Sequence, residues 1–212
     1  SLFLGLQLSF IKADPHPDIS TSRGPFTDEG LNTHQVRNYV NLGEWGVSEG
    51  DNLIKSPLYN GYLAVVMKTI DSSRPTARLT VLLTTLLLLL WFGNLIGHPN
   101  LTALFVLIGG FQFHIFQFFH FSMVEMIVNG CILVAIGFAY RFLTADKPQF
   151  KWLAFCLTAF YVTFLLKIQY AYLFPFIGFV WGIGFFRFKG FRMELLKYLS
   201  GIISLSLLFG FL

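Results

Sequence analysis

The chain is short of charge. Only 12% of its 212 residues are Asp, Glu, Lys or Arg, against 55% hydrophobic and 18% aromatic, and the mean hydropathy is +0.64. One soluble core of this length cannot take in so much apolar surface, so a water-soluble globular domain is excluded and an integral membrane protein is expected. Cysteine is nearly missing too. Cys131 and Cys156 fall inside apolar runs, where a thiol behaves as a small hydrophobe, and no disulfide is expected. The small excess of basic over acidic residues forms no stripe with interleaved stacking platforms, which excludes a nucleic-acid partner. There is no internal repeat, and no small-residue cleavage site follows the opening apolar run before "KADPHPD", so that run does not read as a signal peptide.

What is present is a series of apolar runs near bilayer length. Residues 1–11 read as a truncated first transmembrane span, and 12–78 form a polar segment holding 15 of the 26 Asp, Glu, Lys and Arg residues. Further spans are expected at about 79–96, 101–118, 122–140, 152–166 and 171–186, with a cut one at 198–212. The "GHPN" turn after residue 96 makes the first two a hairpin. Because both ends lie inside apolar runs, the chain is read as an internal stretch of a longer all-α, polytopic membrane protein.

Orientation follows from the short loops, since translocation discriminates against Lys and Arg there. Arg141, Lys147 and Lys151 flank one loop, and Arg187, Lys189, Arg192 and Lys197 flank the other. Both loops are expected on the cytoplasmic side, which places 12–78 outside.

Within 12–78, Leu31, Gln35, Val36, Tyr39, Val40 and Leu42 recur near helical spacing, opposite Asn32, Thr33, Arg37, Asn38 and Asn41. This predicts an amphipathic helix on the membrane surface, with Thr27 or Asp28 at its N-cap and Gly43 at its C-terminal end.

The ordered set Asp28-Glu29, "NLGEWGV" (41–47), Asp51, "IKSPLYNGYLAVV" (54–66) and "ARLTVLL" (77–83) resembles the first external loop of the GT-C membrane glycosyltransferases. The similar branch holds the protein O-mannosyltransferases and the lipid A aminoarabinose transferases, and the resemblance covers about 70 residues, with the later hairpins agreeing in arrangement. It departs in one stretch: Ser56 separates Lys55 from Pro57, and Ile54 stands where the aminoarabinose transferases have Glu.

The resemblance implies a GT-C fold and transfer of a sugar from a polyprenyl-phosphate donor to an acceptor lipid, glycan or protein on the outer face of a membrane, here a bacterial inner membrane. It implies that Asp28 acts as general base toward a weakly nucleophilic hydroxyl. Glu29 shares that work or holds the acceptor, and otherwise complements the helix dipole as Asp28 otherwise caps it. Lys55, matching the family's lysine, is assigned to the lipid phosphate; the alternative is a solvated loop lysine. Arg74 and Arg78 are assigned to the same phosphate or to snorkelling at the interface. Lys167, matching a lysine that closes the family's fifth span, is likewise assigned to the lipid phosphate, or anchors at the interface.

Glu125 stands where the family has an Asp, at membrane depth, where an ionisable group costs about 2.5–3.5 kcal/mol on insertion scales. With His120, with His114 and Gln117 nearby, and with Asp28, it is a candidate for a divalent metal ion; otherwise these groups mark the water boundary. Two rivals remain from other classes. One is a transporter or channel lined by Glu125, His114 and Lys167, although such groups would lie near the midplane on broken helices. The other is a non-catalytic membrane subunit whose loop binds a partner.

Overall fold

The computed structural model describes residues 2–14, 27–46, 56–98, 100, 103, 121–197 and 200. Among these, every regular element is helical: α1 Leu2–Ser9, α2 Thr27–Leu42, α3 Pro57–Thr69, α4 Arg74–Ile96, α5 Val124–Thr144, α6 Phe150–Leu166 and α7 Phe174–Arg187, with 3-10 turns at Ile168–Leu173 and Lys189–Phe191. Three helical stretches, Arg74–Ile96, Val124–Thr144 and Ile168–Arg187, are long and apolar enough to cross a bilayer, and Phe150–Leu166 is a shorter apolar helix. The chain is therefore a helical membrane protein. The spans expected at 101–118 and 198–212 lie outside the described residues.

Helix α4 begins at Arg74, five residues before the expected 79, because its start is written in local chemistry. Ser73 is the N-cap, its Oγ accepting from the Thr76 N–H, and a proline sits in the first turn, where its missing N–H costs nothing. At the other end Gly97 takes φ +74°, a left-handed conformation that glycine adopts without strain. Arg78 is thereby drawn into the first turns of a membrane span. Helix α3 was not expected at all; it starts on Pro57 and buries Tyr59, Leu63 and Met67 on one stripe.

Helix α2 forms as expected but opens at Thr27, so Thr27 and Asp28 lie in its first turn rather than at the cap, and it ends at Gly43, φ +80°, whose N–H bonds to the Tyr39 carbonyl. Its faces are another matter. Glu29, Thr33, Gln35 and Val36 are buried, while Leu42 is 71% exposed. Thr33 was expected on the polar face and Leu42 on the apolar one. Hydrogen bonds to α3 and α4 hold the polar part of the packed stripe, and Val36 joins the apolar cluster there with Tyr39 and Val40 packed against it. The "GEWG" turn that follows is pinned twice: Trp45 stacks on Tyr39 with ring centroids 4.1 Å apart, and Asn38 Nδ2 donates to the Gly46 carbonyl at 2.8 Å.

Helices α4 and α5 pack through glycine. A Cβ on Gly130 would lie 2.9 Å from Leu88 Cβ, and one on Gly137 would lie 2.9 Å from Leu95 Cβ. Seven residues along α4 thus match seven along α5 in the same direction, so the two helices run parallel. Arg141 near the end of α5 donates to the Asn94 carbonyl near the end of α4, in agreement. Helices α5 and α6 are antiparallel, with Phe138 against Phe155 and Glu125 paired with Lys167. Phe160 on Phe176 and Phe164 on Phe174 turn α7 back along α6.

The bundle therefore has two chemically distinct ends. One gathers the end of α1, α2, α3, the starts of α4 and α5, and Lys167. The other gathers the end of α4, Arg141, the 145–149 loop and the end of α7, with the basic residues expected to flank two loops on a common side.

Candidate functional site

At the first of these ends the side chains converge on Arg78. Its residue exposure is 1%, and every guanidinium N–H has an acceptor. Nε donates to Glu29 Oε1 at 2.6 Å and one Nη2 proton to Glu29 Oε2 at 2.8 Å, a bidentate fork. The other Nη2 proton goes to Asp14 Oδ1 at 2.7 Å, and Nη1 serves the carbonyls of Ile11 at 3.0 Å and Ala13 at 2.8 Å. The Phe121 ring lies 5.1 Å from the guanidinium carbon.

Glu29, at 0% exposure, is as fully engaged. Oε1 also accepts the Ser122 N–H at 2.9 Å, and its backbone carbonyl accepts from Thr33 Oγ1 at 2.6 Å. Ser122 in turn shares a 2.7 Å hydrogen bond with the Tyr59 hydroxyl. Five segments far apart in sequence, 11–14, the start of α2, α3, the start of α4 and 121–122, are thus fastened at one point.

Charge is balanced within this knot. Asp14 also takes Arg74, whose Nη1 lies 3.0 Å from Oδ2. Burial works to raise the Asp14 carboxyl, but the hydrogen bonds and charges of Arg78 and Arg74 outweigh it and hold the group below the usual carboxylate range. Tyr59 is pushed well above the ordinary phenol value, first by burial and further by the charges of Glu29 and Glu125, against the opposing hydrogen bond from Ser122. It stays a neutral phenol. That both carboxylates act on Tyr59 places Glu29 and Glu125 at the same end of the bundle.

No family model, curated protein or solved structure matches this chain. The site is accordingly read from its own geometry.

The expected site residues divide as follows. Asp28 lies in the first turn of α2, beside the anchored Glu29, and its side chain is outside the described residues, as are Lys55 and His120 with His114 and Gln117. Glu29 and Arg78, expected at the acceptor and at the lipid phosphate, are brought together and bind each other, leaving Arg78 no N–H to offer a phosphate. Glu125 forms an ion pair with Lys167, and its second carboxylate oxygen is buried without a hydrogen-bond partner. Among the described residues, no group of three or more His, Cys, Asp or Glu is gathered that could hold a metal ion.

Among the described residues expected at the phosphate, Arg74 borders an open space. A groove of about 340 Å³ runs between α2 and the start of α4, lined by Gly30, Thr33, His34, Arg37 and Arg74. The α2 residues follow the i, i+3, i+4, i+7 spacing of one helix face. His34 and Arg37 are exposed there and form no ion pair among the described residues. The Arg37 guanidinium and the His34 imidazole, beside an Arg74 already paired through Nη1 with Asp14, line a groove that can take an anionic oxygen cluster.

Sequence reasoning missed Asp14, Tyr59, Ser122, His34 and Arg37. The spacing of Tyr59, Leu63 and Met67 was a signal for α3, and that of Gly30, Thr33, His34 and Arg37 was one for a second face of α2. The Ser122 backbone N–H leaves no trace in a sequence.

Proposed function

We propose that the chain is part of a GT-C type membrane glycosyltransferase that takes a sugar from a polyprenyl-phosphate donor at the non-cytoplasmic face of a bacterial inner membrane. The observation that carries this reading is the cationic groove on α2, the helix whose first turn holds Asp28. The groove offers Arg37, Arg74 and His34 to a lipid phosphate, with the acidic residue close by along the same helix. The positive-inside bias supports the orientation, since the seven cations of the two basic loops share the opposite end.

In this mechanism Asp28 accepts the proton of an acceptor hydroxyl while its oxygen attacks the anomeric carbon. The bond from that carbon to the phosphate oxygen breaks, and the electron pair leaves on the polyprenyl phosphate. Arg37 and Arg74 meet the growing phosphate charge, which is where donors contribute to rate. Glu29 and Arg78 do no proton transfer; they hold the first turn of α2 against α4. The resemblance to the family assigns Lys55 to the phosphate as well, and Glu125 and His120 to a divalent metal ion; the Glu125–Lys167 pair would have to open for that ion.

The test is Asp28→Asn in the full-length protein. Asp28 stands in the first turn of α2, where Asn keeps the side chain's shape and loses only a modest charge–dipole contribution, so insertion and donor binding should persist. Sugar transfer should fall by a factor on the order of 100 to 10,000, the usual contribution of a positioned acid or base. Transfer within a few-fold of wild type would overturn the assignment. Arg37→Gln should instead weaken donor binding with the chemistry otherwise intact.

A further inference from the structure

The end of the bundle opposite the Arg78 knot has chemistry of its own. After α7 the chain makes the Lys189–Phe191 turn and a short helix, 192–197, that folds back on α7. Three contacts fix it there. Phe188 packs against Phe142 with ring centroids 5.6 Å apart, Trp181 Nε1 donates to the Leu195 carbonyl at 2.9 Å, and Arg192 Nε donates to the Phe185 carbonyl at 3.3 Å. Leu195 is buried by the fold.

What the segment leaves outside is a mixture of two kinds of side chain. Phe191, Met193 and Leu196 are exposed apolar groups, and Arg187, Lys189 and Lys197 are exposed cations beside them. Lys147 and Lys151 add to this rim from the 145–149 loop and the start of α6. Across 141–155 and 187–197 there are seven Lys and Arg against two acids, Asp146 and Glu194. None of the seven forms an ion pair among the described residues. Aromatic faces shield three of them instead: Lys151 lies over Trp152, Arg187 over Phe188 and Arg192 over Phe185, at 4.9, 5.6 and 5.0 Å.

A water-facing loop gains nothing from Met193 and Leu196, and a tail-facing helix cannot hold three bare cations. Both fit the boundary between acyl chains and phosphates. Zwitterionic headgroups would leave the excess positive charge unbalanced, whereas anionic headgroups complement it.

We infer that the 187–197 turn, with Lys147 and Lys151, is a docking surface for anionic phospholipid headgroups in the leaflet at that end of the bundle. The surface stands independently of the glycosyltransferase reading. It would keep a shell of anionic lipid around the base of α7 and fix the depth of that helix.

Trp181 reports on this segment because it is hydrogen-bonded to it. In the full chain with Trp45, Trp91 and Trp152 changed to Phe, reconstituted in phosphatidylcholine, Trp181 emission is titrated with brominated phosphatidylglycerol or with brominated phosphatidylcholine of the same acyl chains. At low salt, phosphatidylglycerol should be favoured about fivefold or more, the factor from about 1 kcal/mol for a single cation near the surface. The preference should collapse toward one in R187Q/K189Q/R192Q, and also in unaltered cations at about 1 M salt, where the screening length is about 3 Å. The salt series decides the matter if the triple variant fails to fold, and a chain with only Trp45 changed to Phe, whose other tryptophans lie toward the basic end, gives the same comparison. Equal quenching by both lipids at low salt, or a preference that survives high salt, would overturn the inference.

Discussion

Arg78 has its five N–H groups taken by one carboxylate fork, a second carboxylate and two carbonyls, so its charge has been removed from water with full replacement. Such a pair adds little beyond what an apolar pair of the same shape would give, but breaking it from one side leaves a buried charge uncompensated. Glu29→Gln keeps the shape and removes the charge. We expect it to lower stability in detergent by about 3–5 kcal/mol, with Arg78→Met similar, and the double variant Glu29→Gln with Arg78→Met to lose less than the sum of the two. Denaturation of the four proteins gives the coupling; additive single effects would mean that the two side chains do not act as a pair. The sequence made both residues conspicuous, as an acidic pair before a helix and an arginine opening a span. It could not reveal that they bind each other, because the two lie on separate elements and their pairing depends on where α2 docks.

At the scale of elements, glycine spacing decides how near α4 comes to α5. Gly130 and Gly137 each face a leucine whose Cβ leaves no room for another carbon, so Gly137→Ala must push the helices apart or move Leu95. A loss of about 1–3 kcal/mol is expected, as for other overpacked interfaces, measured by unfolding in detergent. Gly178→Ala is the control, since nothing stands within 4 Å of the added carbon, and it should be neutral or stabilising. A Gly137→Ala protein as stable as this control would contradict the close approach. The existence of α4 to α7 was legible from apolar length alone, and their ends to within a few residues. Helix α3 was not, because thirteen residues with one lysine are too short for a span and were absorbed into the polar segment. The packed face of α2 was legible in part: Gln35, Val36, Tyr39 and Val40 are buried or half-buried as their spacing predicts, whereas Thr33 and Leu42 were misplaced, because Glu29 and Gln35 are held there by hydrogen bonds that apolar periodicity does not register.

For the whole molecule, the separation of the Arg78 knot from the basic rim is a statement about sides. Single cysteines at Arg37, Lys147 and Lys189, in a Cys131→Ala, Cys156→Ala background, should label from opposite faces of intact cells. Arg37→Cys should react with an impermeant thiol reagent added outside, and the other two only after permeabilisation. Labelling of Arg37→Cys and Lys147→Cys from one side would contradict the arrangement of the bundle. The charge pattern of the short loops had already indicated this polarity, since it is the one long-range property that a linear sequence records directly. Arg78 also has a bearing on how the chain is made. Synthesis runs from the N-terminus, and Ile11, Ala13, Asp14 and Glu29 all precede Arg78, so each of its acceptors exists before the arginine leaves the ribosome. Phe121 and Ser122 follow only after the rest of α4 and the returning chain. The cation can thus be neutralised as its helix enters the bilayer, and the final donor to Glu29 then arrives as a late fastening that closes the end of the bundle over a pair already formed.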